Sequence, residues 1–295
     1  MSTRPDDYPY QRRLTDFDAI VSAAQRTIIA QIELAVRQGR LASAMERRMQ
    51  LAAVTATLDQ LQAAVVPLAR ELVQEAYTQG AARAATQVEA LSVNAPEIPG
   101  AFTGVSRHAV EAMQASIEGR LTDSRATIGR QVEDIYAREQ RRTSLRALLG
   151  AEGSPQDSSK RLQLRLMQDR DVARAVKDGG TGFVDRSGRR WTLKTYANMA
   201  TRTVTREAAV QGAIARMASH GIALARVSKH ASACEICQPF EGALVSLAGD
   251  VTEYKGEEVL DVSEASPPFH PNCAHSLEPV SVTIESLKAE LAGVA

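Results

Sequence analysis

Two short clusters of metal-binding residue types, separated by 32 residues, constrain this chain more than any other feature of its sequence. The first reads His230-Ala-Ser-Ala-Cys234-Glu-Ile-Cys237 and the second His270-Pro-Asn-Cys273-Ala-His275. Cys-x-x-Cys and His-x-x-Cys each place two donors three apart on a tight turn, so each loop supplies two corners of a tetrahedron and two such loops close a zinc site. The spacing predicts a ligand set of Cys234, Cys237, His270 and Cys273, with His275 or His230 as alternates to His270. A Cys3His set fills all four positions and leaves none for an activated water, so the predicted Zn2+ is structural and no enzyme activity is expected of it. The chain has 3 cysteines, all within this region, and an odd, clustered count argues for metal rather than disulfides.

The rest of the chain reads as mainly helical. Phe17, Val21, Ala24, Ile28, Ile32 and Ala35 recur every three or four residues, which predicts a first helix ending near Gly39. Leu51, Val54, Leu58, Leu61, Val65, Leu68 and Leu72 form a coiled-coil-like seam that needs a partner helix, within the chain or in another copy. Pro67 falls in this seam and predicts either a kink or a break into two helices. After a Pro- and Gly-containing loop over 92–104, Val110, Met113, Ile117, Leu121, Ile128, Val132 and Ile135 restore the helical period up to about Leu149. With aromatic residues at only 4%, and alanine abundant, a large packed sheet is not expected.

The segment 150–159 is the best linker in the sequence, placing a helical region at 1–150 ahead of a C-terminal domain at 160–295 that carries the zinc module at 230–279. Within that domain we expect a helix over 160–176, a hairpin from Phe183 to Leu193 turning at Ser187-Gly188, a helix from Thr195 to His220 stopped by Gly221, and a strand from Ile222 to Val227. Trp191 is expected to anchor the hairpin. The fold class is thus long N-terminal helices, as a bundle or coiled-coil-like array, followed by a small α+β domain stabilised by zinc. The N-terminal residues carry no secretory pattern, and no run of about 18 uncharged apolar residues offers a membrane span.

The formal net charge of zero conceals an asymmetry: residues 177–229 carry ten Lys/Arg against three Asp/Glu, and residues 230–295 two against eleven. The two segments can neutralise each other, or the basic one, with Arg186, Arg189, Arg190, Arg202 and Arg206, can face DNA.

Arg202-Thr203 to Glu207, Gly221-Ile222, His230, the run Cys234-Glu-Ile-Cys237-Gln-Pro-Phe-Glu-Gly242 and His270-Pro-Asn-Cys273-Ala-His275-Ser276 together resemble the phage minor capsid (minor head) protein family, kin to the MuF-like head morphogenesis proteins. The resemblance spans about Phe183 to Pro279. It implies a virion component inside the head near the portal, present in few copies, with portal and other head proteins as partners and a role in head assembly and DNA packaging or delivery. Host cytoplasm is where it would be made. Self-association through the N-terminal helices rests on the heptad seam alone. Where the family often has Trp after Cys-x-x-Cys this chain has Phe240, and where Arg often precedes the last cluster position it has Ala274.

Two rivals remain at this stage. A zinc deaminase or hydrolase needs an open coordination position and a His-x-Glu, which the sequence lacks. A His-Asn-His nuclease has its residue types in His270, Asn272 and His275, but all three lie within six residues, whereas that fold draws them from separate elements.

Overall fold

The computed structural model describes residues 10–41, 43–91, 104–151, 183–184, 189–231, 233–247, 249, 251–271 and 273–293. The predicted helix over 160–176, the hairpin turn at 187–188 and most of the predicted linker, 152–159, lie outside the described residues. The protein is mainly helical, with long N-terminal helices and a small C-terminal sheet. By contacts it divides into two compact units, each assembled from separate stretches of chain: Met1–Thr15, Leu68–Glu118 and Met199–Ala295 form one, Asp16–Pro67 and Gly119–Asn198 the other.

Three long helices come first: α1 (Tyr10–Arg37), α2 (Ala44–Ala90) and α3 (Gly104–Ala151). Helix α2 starts on a capping box, in which Ser43 Oγ accepts the Glu46 N–H at 3.1 Å and the Glu46 carboxylate accepts the Ser43 N–H at 3.0 Å. Those two bonds satisfy donors that the first turn would otherwise leave open. Pro67 lies inside α2, which continues as one helix, so the alternative of two separate helices is not what forms. The predicted seam is satisfied within the chain: Val54, Leu58, Leu61, Val65 and Leu72 are all buried.

In the second unit, Phe17, Val21, Ile28 and Ile32 of α1 are buried, as are Leu121, Ile128, Val132 and Tyr136 of α3. Polar pairs cross between its helices, with Gln31 bonded to Thr57 at 3.0 Å, Gln62 to Thr122 at 2.9 Å, and Arg125 paired with Asp59. Strands β1 (Phe183–Val184) and β2 (Arg190–Trp191) pair antiparallel, as the hairpin reading expects, and the Trp191 ring meets Tyr196 edge-on at 6.1 Å. Helices α1 and α2 are long and apolar enough by length and composition alone to cross a membrane. In α1 the buried Leu14, Phe17, Val21, Ile28 and Ile32 recur every three to seven residues with Asp18, Arg26 and Glu33 between them, as in a packed amphipathic helix.

The first unit holds the sheet. Helix α4 (Leu193–Ser219) ends in a Schellman turn, where Gly221 (φ +68°) and Ile222 donate to the Ala218 and Met217 carbonyls at 2.9 and 3.1 Å. That turn reverses the chain into β3 (Leu224–Val227). Strands β4 (Leu244–Ser246), β5 (Glu253–Tyr254), β6 (Glu257–Asp261) and β7 (Leu277–Pro279) complete a five-stranded sheet of order β5-β6-β4-β3-β7, with only β4 and β6 parallel. Helix α5 (Ile284–Gly293) follows.

Alternation along the strands separates two cores. Ala225, Val227, Val245 and Leu277 pack with Val210 and Met217 of α4 and with Ala84 and Val88 of α2, while Leu224, Leu244 and Val259 pack with Val282 and Leu287 on the other face. The sequence past Cys237 shows little core by periodicity, because its strands are two to five residues long and never complete a readable alternation.

Candidate metal centre

Strand register brings the two Cys/His clusters together. Val227, the last residue of β3, pairs with Leu277, the first of β7. The loop leaving β3 and the loop entering β7 therefore lie at the same end of the sheet, and those loops carry His230–Cys237 and His270–His275. The junction is continued by Ser228, whose N–H donates to the Ser276 carbonyl at 2.9 Å while its hydroxyl accepts the Ser276 N–H at 3.0 Å.

Each loop then folds on the same local rule. The Cys237 N–H donates to the Cys234 carbonyl at 2.9 Å, and the Cys273 N–H to the His270 carbonyl at 3.0 Å. These paired i to i+3 turns put the side chains three apart on one side of each loop. Phe240, in the short 3-10 turn Gln238–Phe240 after the first cluster, stacks on Phe269 just before the second, with centroids 4.3 Å apart and planes 10° from parallel. Phe240 thus clips the two loops together.

Five donors converge. Cys234, Cys237 and His270 form one triad and Cys237, Cys273 and His275 another, with all ligand atoms within 4.8 Å of one another in each and Cys237 common to both. Cys234 Sγ lies 3.3 Å from His270 Nε2, Cys237 Sγ 3.9 Å from Cys273 Sγ, and Cys273 Sγ 3.5 Å from His275 Nδ1. A tetrahedral zinc with bonds of ~2.3 Å to sulfur and ~2.05 Å to nitrogen has edges of about 3.8 Å between sulfurs and about 3.6 Å from sulfur to nitrogen. The donor set can therefore hold a metal ion, and its spacing suits zinc.

Burial, with the neighbouring Cys234 and Cys273 thiols, pushes the Cys237 thiol up to about 12. A buried thiol of that kind keeps its proton at neutral pH unless a cation takes its place, which is what a coordinated divalent metal does. The Cys234 thiol is exposed and is held below its ordinary value by N–H groups of its own turn, that of Cys237 first.

Glu241 is the functional residue that the sequence reading missed. Its Oε1 accepts the His230 N–H at 2.6 Å and lies 3.1 Å from His275 Nε2. The His230 N–H, then the His275 ring, hold the carboxyl below the usual carboxylate range. The signal in the sequence was its place in the Pro-Phe-Glu-Gly run, but nothing in spacing alone connects it to a histidine 34 residues on. His230, an alternate ligand by sequence, belongs to neither triad; its Nε2 lies 3.2 Å from the Ser228 hydroxyl and its ring packs edge-on against His275 at 4.6 Å.

The basic residues separate. Arg206 reaches from α4 to donate to the Ala274 carbonyl at 3.0 Å, bracing the chain between Cys273 and His275. Arg189 and Arg202 are exposed; Arg190 sits on β2; Arg186 lies outside the described residues, as does Asn272.

The fold is thus a mainly helical chain whose short sheet presents a Cys/His cluster on paired turns. The family model for phage minor capsid protein 2 matches residues 20–291, and the chain belongs to that family. The match covers the helical N-terminal part as well as the Cys/His region, and membership implies a virion component. No curated protein and no solved structure matches the chain.

Proposed function

We propose that this protein is a non-enzymatic structural component of the phage head, positioned inside it near the portal, where it acts in head assembly and DNA packaging or delivery, and that its Cys/His cluster holds one structural zinc ion. The family match carries the first part of this reading. The convergence of five donors at zinc-like spacing from two loops on one sheet end carries the second.

Zinc would link β3 and its following loop to the loop before β7. Structural zinc contributes ~10–16 kcal/mol of apparent binding free energy in small modules, comparable to the whole stability of an ordinary domain. Its partners would be the portal and other head proteins. Self-association would have to use surfaces other than the α2 seam, which is already covered within the chain; Leu34, Met45 and Met49 are the exposed large apolar residues among the described residues of the helical part. Contact of the exposed Arg189 and Arg202 with packaged DNA is a secondary role, without base specificity.

Two measurements test the reading. Elemental analysis of purified protein should find one zinc per chain, absent from Cys237→Ser; a metal-free wild-type protein refutes the zinc. Heads purified from a phage carrying an epitope tag on this protein should contain it in few copies; finding it only in the soluble lysate refutes the head role.

A further inference from the structure

Two triads that share Cys237 offer five donors between them, where a tetrahedral site takes four. We infer that His275, rather than His270, completes the tetrahedron with Cys234, Cys237 and Cys273, and that Glu241 is the residue that positions it. This inference rests on the zinc reading above.

The two histidines sit differently. His275 is 3% exposed and belongs to the triad whose other members, Cys237 and Cys273, are 1% and 3% exposed. Its ring is held on three sides, by the Glu241 carboxylate, by the His230 ring and by Phe269 at 6.0 Å. A carboxylate only accepts, so His275 Nε2 carries the proton and Nδ1 is left bare, facing the Cys273 sulfur at 3.5 Å. Orientation of a liganding imidazole by a carboxylate on its far nitrogen fixes the tautomer and raises the basicity of the nitrogen offered to the metal. Glu241 is itself fixed, because the same oxygen accepts the His230 N–H.

His270 lacks this support. It is partly exposed, it faces the exposed Cys234 sulfur, and its Nδ1 lies 2.7 Å from the carbonyl of the adjacent Pro271. A neutral carbonyl on the neighbouring residue polarises the ring less than a carboxylate does. The buried half of the cluster, Cys237, Cys273 and His275, forms the permanent part of the site; Cys234 closes it, and His270 stands outside the coordination sphere beside Cys234.

The test is cobalt(II) titration of the metal-free full-length protein, read by its visible ligand-field bands and its thiolate-to-cobalt charge-transfer absorption, with affinity from competition against a chromophoric chelator. His270→Ala should keep the wild-type spectrum and bind within about threefold of wild type. Glu241→Gln preserves an acceptor but not its charge, and should keep the band shape while weakening binding by about 10–100-fold. His275→Cys should bind with charge-transfer intensity raised from three thiolates to four, a change that only a liganding position produces and that does not depend on His275→Ala remaining folded. Loss of the tetrahedral spectrum in His270→Ala, added intensity in His270→Cys instead of His275→Cys, or wild-type affinity in Glu241→Gln would each overturn the inference. Failure of the wild-type protein to bind any cobalt or zinc would instead remove the zinc reading itself.

Discussion

Replacing Gly80 by alanine should destabilise the protein, while the same replacement at Gly119 should stabilise it. Gly80 on α2 and Gly212 on α4 face each other's backbones: a Cβ built at Gly80 falls 1.9 Å from the Ala209 carbonyl oxygen and 2.7 Å from its carbon, and one at Gly212 falls 2.0 Å from the Tyr77 oxygen. Carbon and carbonyl oxygen approach to ~3.3 Å at closest in ordinary packing, so the helices must part by about 1.4 Å there or bend. The obstacle is helix backbone on both sides, with no flexible side chain to rotate away. Overpacking costs about 1–3 kcal/mol when a core can adjust, and the rigid contact places Gly80→Ala at about 3 kcal/mol; better helix propensity returns about 1 kcal/mol. The net loss is about 2 kcal/mol. At Gly119 an added Cβ meets nothing within 4 Å, and only the propensity gain remains, up to about 1 kcal/mol. Urea unfolding followed by far-UV circular dichroism measures both. Gly80→Ala as stable as wild type, or both variants shifting the same way, would refute the close approach. The double variant Gly80→Ala/Gly212→Ala should cost less than the sum of the singles, since helices already parted for one methyl accommodate part of the second.

Other outcomes follow from single side chains. Tyr136 is fully buried with its hydroxyl unpartnered, so Tyr136→Phe should stabilise by about 1 kcal/mol in chemical denaturation. Burial raises that phenol from 10.0 to about 12, so its protonated form is favoured in the folded state. The folded protein should lose stability as pH rises from about 10 through about 12, and Tyr136→Phe should lose less over that window. Phe240→Ala removes the stack on Phe269 and should speed zinc loss to a chelator without abolishing zinc binding, because no ligand is touched. Arg206→Ala should likewise speed zinc loss, through the freed Ala274 carbonyl, whereas Arg202→Ala should leave zinc unaffected; equal behaviour of the two would dissociate Arg206 from the site.

Much of the architecture was legible because it is local. The period of α1 and α3, the seam of α2, the Gly221 stop and the presence of two short strands between Phe183 and Leu193 are written in local spacings, and such patterns survive into the fold because each element buries the face its sequence prepares. The Cys and His clusters were legible for the same reason. The strands from β4 to β7 were not, since segments of two to five residues owe their pairing to neighbours far along the chain.

The sequence by itself determined which residue types could bind metal and that each cluster would present two donors from one turn. Only the tertiary structure decided that the clusters share a site, because that depends on Val227 pairing with Leu277 across a separation of fifty residues. It also decided which histidine is buried, since no spacing rule connects Glu241 to His275, and a carboxylate orients an imidazole only once the sheet has brought them within hydrogen-bonding reach.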